Sequence, residues 1–378
     1  MHLGLGDPLP EISREYYERH EIRHADLYSI TQGCSRREIR ASLLKAVGCS
    51  SVCFWLWQRF GPLGILEEVI FEAEDYYVRM AQFPAVRVVL VGYEVLFPPA
   101  LALACNRLGI VTVATQERFS NAFFPADLFA VEHYFFLGEQ ARSMIKRRGF
   151  SWIGKEHILG PARVKNLRKA MVQSDPGKYQ AIRAKQKLVL VLDFHSEPSF
   201  NENRLVDNHW EHNQRFYRDI IRLAEHFQTA HFVIKGKNAD WLELDYFSSV
   251  REEIEGIGNV SVETDLREYD PARMAAITDL CIAMYNSLGD ELLAIDRPVI
   301  FYDFYGMPAD FYDFEKTAAC ATTFGELMAA TTRGLQTGRV LEPRDSERIR
   351  RKCYGYENGL PSEGSHLLDT LHSIYNGP

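Results

Sequence analysis

Between residues 86 and 116 the chain changes its apolar period twice. VRVVLVGY (86–93) is a β-branched run ending at a turn, PPALALACNRLG (98–109) spaces its apolar residues as a helix closed by glycine, and IVTVATQ (110–116) is again continuous. These three pieces predict a strand–helix–strand unit. HYFFLG (133–138), EQARSMIKRRG (139–149) and KEHILGPARV (155–164) continue the alternation, with Gly149 as a helix stop. Strands alternating with helices specify a parallel sheet.

A polar stretch at 170–186 containing Asp-Pro-Gly interrupts the pattern, and a second alternating series follows at once. Its strands are KLVLVLDF (187–194), AHFVIKG (230–236) and NVSVET (259–264); its helices are NQRFYRDIIRLAEHF (213–227) and PARMAAIT (271–278), the latter with proline in its first turn. CIAMYNSLGDELLAIDRPVIFYDF (281–304) then reads as strand, break, short helix and strand. A charged segment, RDSERIRRKC (344–353), precedes a predicted terminal helix, GSHLLDTLHSIY (364–375). The predicted organisation is an acceptor-side lobe at 1–172, a linker at 173–186, a nucleotide-donor lobe at 187–345 and a helical segment at 346–378. The fold class is α/β, with two Rossmann-like parallel-sheet lobes facing across a cleft. Ligands of such sheets sit outside the carboxyl ends of the strands.

The first 45 residues are charged and show no apolar strand running into a glycine-rich turn, which weighs against an NAD or FAD site. Either the first lobe is shortened or the chain is a piece of a longer one. At 378 residues the chain suits two domains, and 46% hydrophobic with 25% charged residues is a globular composition. A net charge of -8 excludes the global basic field that drives nucleic-acid binding. The seven cysteines are scattered without a C-x-x-C pair, and Cys49 and Cys53 have no second ligand pair, so buried thiols are expected rather than zinc. His209, His212, His226 and His231 do not have metal-site spacing either, and no metal is expected.

The N-terminus lacks an apolar signal region, which predicts a cytoplasmic protein. SVCFWLWQRFGPLGILEEVIF (51–71) is cut by Gln58, Arg59 and Pro62 and is too short to span a bilayer. A buried strand and core helix are expected there; an interfacial dip through Trp55, Trp57 and Phe60 is the alternative.

The break at Asn-Ser-Leu-Gly (286–289) is the main candidate for ligand binding. The N–H groups of Ser287, Leu288 and Gly289 open a helix after a parallel strand, an arrangement suited to a phosphate. Asn286 and Ser287 add side-chain groups, Gly289 permits close approach, and Glu291 lies one turn in, where it can accept ribose hydroxyls. The competing account makes Ser287 a plain helix cap and Glu291 a solvated acid. Lys235 and Lys237 follow a strand and either neutralise phosphates or are surface lysines. Asp265, Arg267 and Tyr269 lie in an acidic turn that either frames a base or is a simple loop.

VETDLREYDPARMAAITDLCIAMYNSLGDELLAIDRPVIFYDF (262–304) resembles the C-terminal half of GT-B-fold glycosyltransferases and the related CDP-glycerol glycerophosphotransferases of bacterial surface polymers. VGYEVLFPPALALACNRLGIVTVATQERF (91–119), HYFFLGEQARSMIKRRG, HILGPARV (157–164) and CYGYENGLPSEGSHLLDTL (353–371) are similar to other parts of their pattern, in the same order. Lys-Gly-Lys at 235–237 stands where those families carry His-Pro, and Gln-Glu-Arg at 116–118 where they carry Gln-His-Gly.

Glycosyl transfer by double displacement needs a nucleophile and a separate acid/base. Asp193 in VLDFHSEP, beside His195 and Glu197, and Glu117 in TQERF end strands of the two lobes. A turn-capping carboxylate and a salt-bridged surface acid are the plainer accounts. The opposed acids resemble those of retaining β-Kdo transferases, which implies a CMP-linked donor, Asp193 as nucleophile, Glu117 as acid/base, His195 beside them, and Gln116 and Arg118 positioning substrate. The resemblance implies no cofactor beyond the nucleotide sugar, and a lipid-linked or oligosaccharide acceptor at the inner membrane face. Basic residues in SMIKRRGFSW (143–152) and ARVKNLRK (162–169) fit either contact with anionic lipid or ordinary helix-surface charge. The rival readings are CDP-glycerol transfer, a UDP-sugar 2-epimerase, and a non-catalytic glycan-binding module.

Overall fold

The computed structural model describes residues 2–4, 24–26, 64–91, 98–116, 130–148, 152–161, 163–173, 175–192, 210–236, 240–265, 269–284, 286–304, 317–357, 360–361 and 365–376. In the first part of the chain these form β1 (His2–Gly4), β2 (His24–Asp26), α1 (Gly64–Met80), β3 (Val88–Val91), α2 (Pro99–Arg107), β4 (Val111–Thr115), β5 (Ala130–Phe136), α3 (Glu139–Arg148), β6 (Trp152–Ile158) and α4 (Val164–Gln173). A short α5 (Gln180–Arg183) leads into β7 (Lys187–Leu192), α6 (Trp210–His226), β8 (Ala230–Lys235), α7 (Ser248–Glu255), β9 (Val260–Val262), α8 (Pro271–Ile277), β10 (Leu280–Ala283), α9 (Ser287–Ala294), β11 (Val299–Tyr302) and β12 (Cys320–Ala321). The chain ends with α10 (Phe324–Thr337), α11 (Pro343–Tyr354), β13 (Tyr356–Glu357), β14 (Leu360–Pro361) and α12 (Ser365–Asn376).

Two parallel sheets result, as the alternation predicts. The first runs β3-β4-β5-β6, in chain order. The second runs β12-β11-β10-β7-β8-β9, so the chain starts in the middle, winds outward to one edge, and returns to wind outward on the other side. Central strands of this sheet, such as Val189, Val191, Phe232, Val233, Ile282 and Ile300, are buried on both faces, which is why they read as unbroken apolar runs. One face packs on α6, α7 and α10. The other joins α8, α9, Tyr179 and α11 in a cluster that continues into the first sheet through Tyr134 and Phe136.

Local signals set several boundaries. Asp270 caps α8, accepting from the N–H groups of Ala272 and Arg273 ahead of Pro271. Gly109 follows α2 with φ 67°. Thr323 and Glu326 form a reciprocal capping box on α10, a helix absent from the sequence-based series above. The segment 51–63 lies outside the described residues; α1 takes up the remainder of that apolar stretch, a helix as expected there. Cys105, Cys281, Cys320 and Cys353 are buried free thiols, and burial pushes Cys105 up to about 12. No helix among the described residues is long and apolar enough to cross a membrane.

The C-terminal segment returns to the first sheet. Gly138, at the start of α3, lies so close to the backbone of Lys352 and Cys353 that a Cβ there would overlap it. Gly355, with φ 64°, packs against Ile158, and Arg168 donates to the Tyr356 hydroxyl at 3.3 Å. Leu367, Leu371 and Ile374 of α12 then cover Val113, Phe135 and Leu159.

Candidate functional site

In a doubly wound sheet, a crevice opens at the carboxyl edge where two neighbouring strands send their chains in opposite directions. Here those strands are β7 and β10. Among the described residues, the carboxyl edge around them carries the end of β8 with Lys235, Glu263 just past β9, and the start of α9 after β10.

Asn286 is extended (φ −151°, ψ 163°) and caps α9, its Oδ1 accepting from the Gly289 N–H at 2.8 Å. Asp290 N donates to the Asn286 carbonyl at 3.3 Å. Ser287 and Leu288 have first-turn N–H groups without intrahelical acceptors. Gly289 serves a different purpose from the one read in the sequence: a Cβ there would stand 2.7 Å from Cε1 of Phe301, so glycine is required for packing of α9 on β11 rather than for ligand approach. Glu291 is buried, as is Asp290, which accepts from the Tyr354 hydroxyl at 2.9 Å and ties α9 to α11.

Lys235 is only 3% exposed, and among the described residues its ammonium has no hydrogen-bond or ion-pair partner. Desolvation holds its ammonium below the usual lysine range, against the opposing fields of Glu263, Asp270 and Asp265. A buried, unpaired ammonium at a carboxyl edge is costly unless an anion joins it.

Glu263, 1% exposed, stands beside it on the next strand. Burial pushes its carboxyl up, but hydrogen bonds from Tyr179 (2.6 Å), Lys178 (2.9 Å) and the Asp265 N–H (2.8 Å) outweigh this and hold it below the usual range. The sequence reading had not included Glu263, Lys178 or Tyr179. A glutamate directly after a parallel strand was the one available signal.

Tyr269 faces the segment between the sheets. Its hydroxyl accepts from Lys178 N at 2.9 Å, its ring meets Tyr179 edge-on at 5.2 Å, and Lys178 and Arg273 lie over it. Asp265 is exposed beside it. Gln116, after β4, is buried and its Oε1 accepts from Leu137 N at 3.0 Å, which anchors the edge of the first sheet. Asn213 in the first turn of α6 was also missed: it is 1% exposed, and neither side-chain polar atom has a partner among the described residues. Asp193, His195, Glu117, Arg118, Lys237 and Arg267 lie outside the described residues.

Among the described residues no cluster of His, Cys, Asp and Glu could hold a metal ion. His231 hydrogen-bonds Ser261 Oγ at 2.9 Å on the neighbouring strand. In the basic segments, Lys146 pairs with Glu156 at 2.7 Å.

No family model and no curated protein matches the sequence. Solved structures do match. The UDP-GlcNAc 2-epimerase from Neisseria meningitidis bound to UDP-GlcNAc superposes with a TM-score of 0.55 at 12% identity, covering 96% of this chain and 89% of that one. The S. aureus MnaA–UDP complex gives 0.53 at 13%, covering 82% and 83%. The Methanocaldococcus jannaschii UDP-GlcNAc 2-epimerase in complex with UDP-GlcNAc and UDP gives 0.52 at 14%, covering 81% of each. These likenesses do not carry the narrower resemblance to retaining β-Kdo transferases. What they establish is the architecture: the chain has the two-lobed, GT-B-type α/β fold that UDP-GlcNAc 2-epimerases also have.

Proposed function

We propose that the protein binds a nucleoside-diphosphate sugar at the carboxyl edge of its second sheet and acts on that sugar, with 2-epimerisation of a UDP-sugar favoured over transfer from a CMP-linked donor. The observation that carries this is the buried Lys235, without a side-chain partner among the described residues, on one side of β7 and the first turn of α9 on the other. Together they supply a cation and helix N–H groups for a diphosphate. The choice of UDP over CMP is supported by the similar fold of proteins whose structures hold UDP-GlcNAc or UDP. Epimerisation consumes the nucleotide sugar alone, so this reading requires no lipid-linked acceptor or membrane contact.

Asp193, with His195 beside it, and Glu117 are the candidate acid and base groups, and Gln116 and Arg118 follow β4 where they would position the substrate. The test is a thermal-shift panel with UDP, UDP-GlcNAc, CDP and CMP, followed by proton NMR of UDP-GlcNAc for appearance of its C2 epimer. A ligand at 100 times its Kd contributes about 2.7 kcal/mol to the native state. UDP is expected to stabilise the protein and CMP to have little effect. Stabilisation by CMP but not UDP would restore the CMP-linked transfer. Asp193→Ala is expected to abolish turnover while keeping the UDP shift; normal turnover removes it from the chemistry.

A further inference from the structure

The segment between the two sheets ends in a charged contact beside the proposed phosphate site. Lys178 and Tyr179 both donate to Glu263, at 2.9 and 2.6 Å, and Tyr269 accepts from Lys178 N at 2.9 Å. Gly177 (φ 52°) is pressed against the Tyr269 hydroxyl with no room for a Cβ. The segment is thereby fixed to the end of β9.

Lys235 and Glu263 follow the paired Ile234 and Val262 on adjacent parallel strands. Adjacent strands lie about 4.8 Å apart, so the two side chains emerge as neighbours on one sheet face. Both oxygens of Glu263 are already engaged by Lys178, Tyr179 and the Asp265 N–H. No ion pair joins Glu263 to Lys235, and Glu263 acts on it through its field. The charges run positive at Lys178, negative at Glu263 and positive at Lys235, and the row ends on a buried cation. An anion beyond Lys235 completes the alternation.

We propose that Glu263 is a positioning residue that couples the segment joining the two sheets to an anion held at Lys235. This inference rests on the reading of that edge as a phosphate site. The groups whose fields reach Lys235 are Glu263 past β9 and Asp265 and Asp270 in the turn before α8. Lys178 acts on Glu263 from the joining segment. Coupling of this kind is reciprocal: whatever strengthens the anion's hold also tightens the clamp on Lys178 and Tyr179.

Opposite charge changes at the two ends of the row test the coupling. UDP binding to the full chain is measured by titration calorimetry between pH 6 and 10 for wild type, Glu263→Gln and Lys178→Met. Affinity falls as pH rises through the titration of the Lys235 ammonium. Loss of the Glu263 charge moves that fall to lower pH and weakens binding about tenfold at neutral pH, within the 5- to 150-fold range of ordinary couplings. Loss of the Lys178 charge leaves Glu263 less compensated and moves the fall to higher pH. A role in packing alone would shift both variants alike or neither, and that result overturns the coupling. Lys178 is half-exposed, so Lys178→Met keeps the test decisive should Glu263→Gln not fold. Hydrogen exchange supplies the reciprocal measurement: UDP is expected to slow exchange of the 177–183 amides in wild type and much less in Glu263→Gln. Wild type that binds neither UDP nor pyrophosphate overturns the phosphate reading itself, whereas binding with unshifted profiles overturns only the coupling.

Discussion

The two sheets are built from the same strand–helix alternation, yet their carboxyl edges differ. The first winds in one direction, β3-β4-β5-β6, and the described part of its edge holds contacts within the chain: Gln116 accepts from Leu137 N, and Gly138 receives the backbone of α11. The second winds both ways from β7, and its edge presents a capped helix start and a lysine whose ammonium has no partner among the described residues. One-way winding stacks each crossover beside the last. Winding in both directions parts two neighbouring crossovers and leaves room for a ligand. The contrast lies in the order of strands rather than in their composition.

The largest expected effect comes from breaking the contact of α11 with the first edge. Gly138→Ala places a Cβ against the Cys353 backbone, which cannot yield as a flexible side chain would, and should destabilise the protein by about 3 kcal/mol in denaturant unfolding. The open edge responds differently. Lys235→Met should weaken UDP binding by about 2 kcal/mol, the scale of a hydrogen bond to a charged group, as measured by calorimetry. Its unfolding free energy should be unchanged or higher, because an unpaired buried ammonium has been replaced by an apolar chain of similar length. A clear loss of stability in Lys235→Met would show that the lysine has a structural partner after all.

Asn286→Ala removes the α9 cap and should cost about 1 kcal/mol in stability, with a smaller loss of UDP affinity.

The smallest effect separates the sheets by pH. His133, buried in the first sheet with its Nδ1 3.1 Å from His157 Nε2, is held below 6.5 by burial and then by Lys155, with Glu132 opposing. The unfolded chain binds that proton more readily, so His133 favours the fold above 6.5 and the contribution is lost as pH falls below it. Glu263 is held below 4.5 by its hydrogen bonds against the cost of burial, so its contribution persists until pH falls past 4.5 towards its folded value. Hydrogen exchange resolved along the chain should therefore show acid loosening β5 and β6 before the Glu263 contact. The reverse order would mean that the His133–His157 stack tolerates charge.

Much of the architecture was legible from period alone. KLVLVL and AHFVIK are continuous apolar runs because both of their faces are covered, and the Asp270–Pro271 start of α8 is a local signal that no distant contact needs to confirm. The helix after the break was likewise legible, but its cap is Asn286 and not Ser287, the residue the sequence offered for that role. The reasons behind single residues were less so. Gly289 was read as space for a ligand, whereas the space is taken by Phe301; Tyr269 was read as a frame for a base, and its ring packs on Tyr179. Both readings drew on sequence neighbours, while the atoms that decide the matter come from another strand or from the segment between the sheets.

The sequence by itself determined that this protein is two series of parallel strands and helices with a helix start after β10, since periodicity, caps and breakers act over a few residues. Only the tertiary structure decided that β10 returns to the far side of β7, that α11 and α12 cross back to the first sheet, and that Lys178, Glu263 and Lys235 stand in one row. Strand order and charge adjacency depend on which buried surfaces pack best across the whole chain, and no short stretch of sequence encodes that competition.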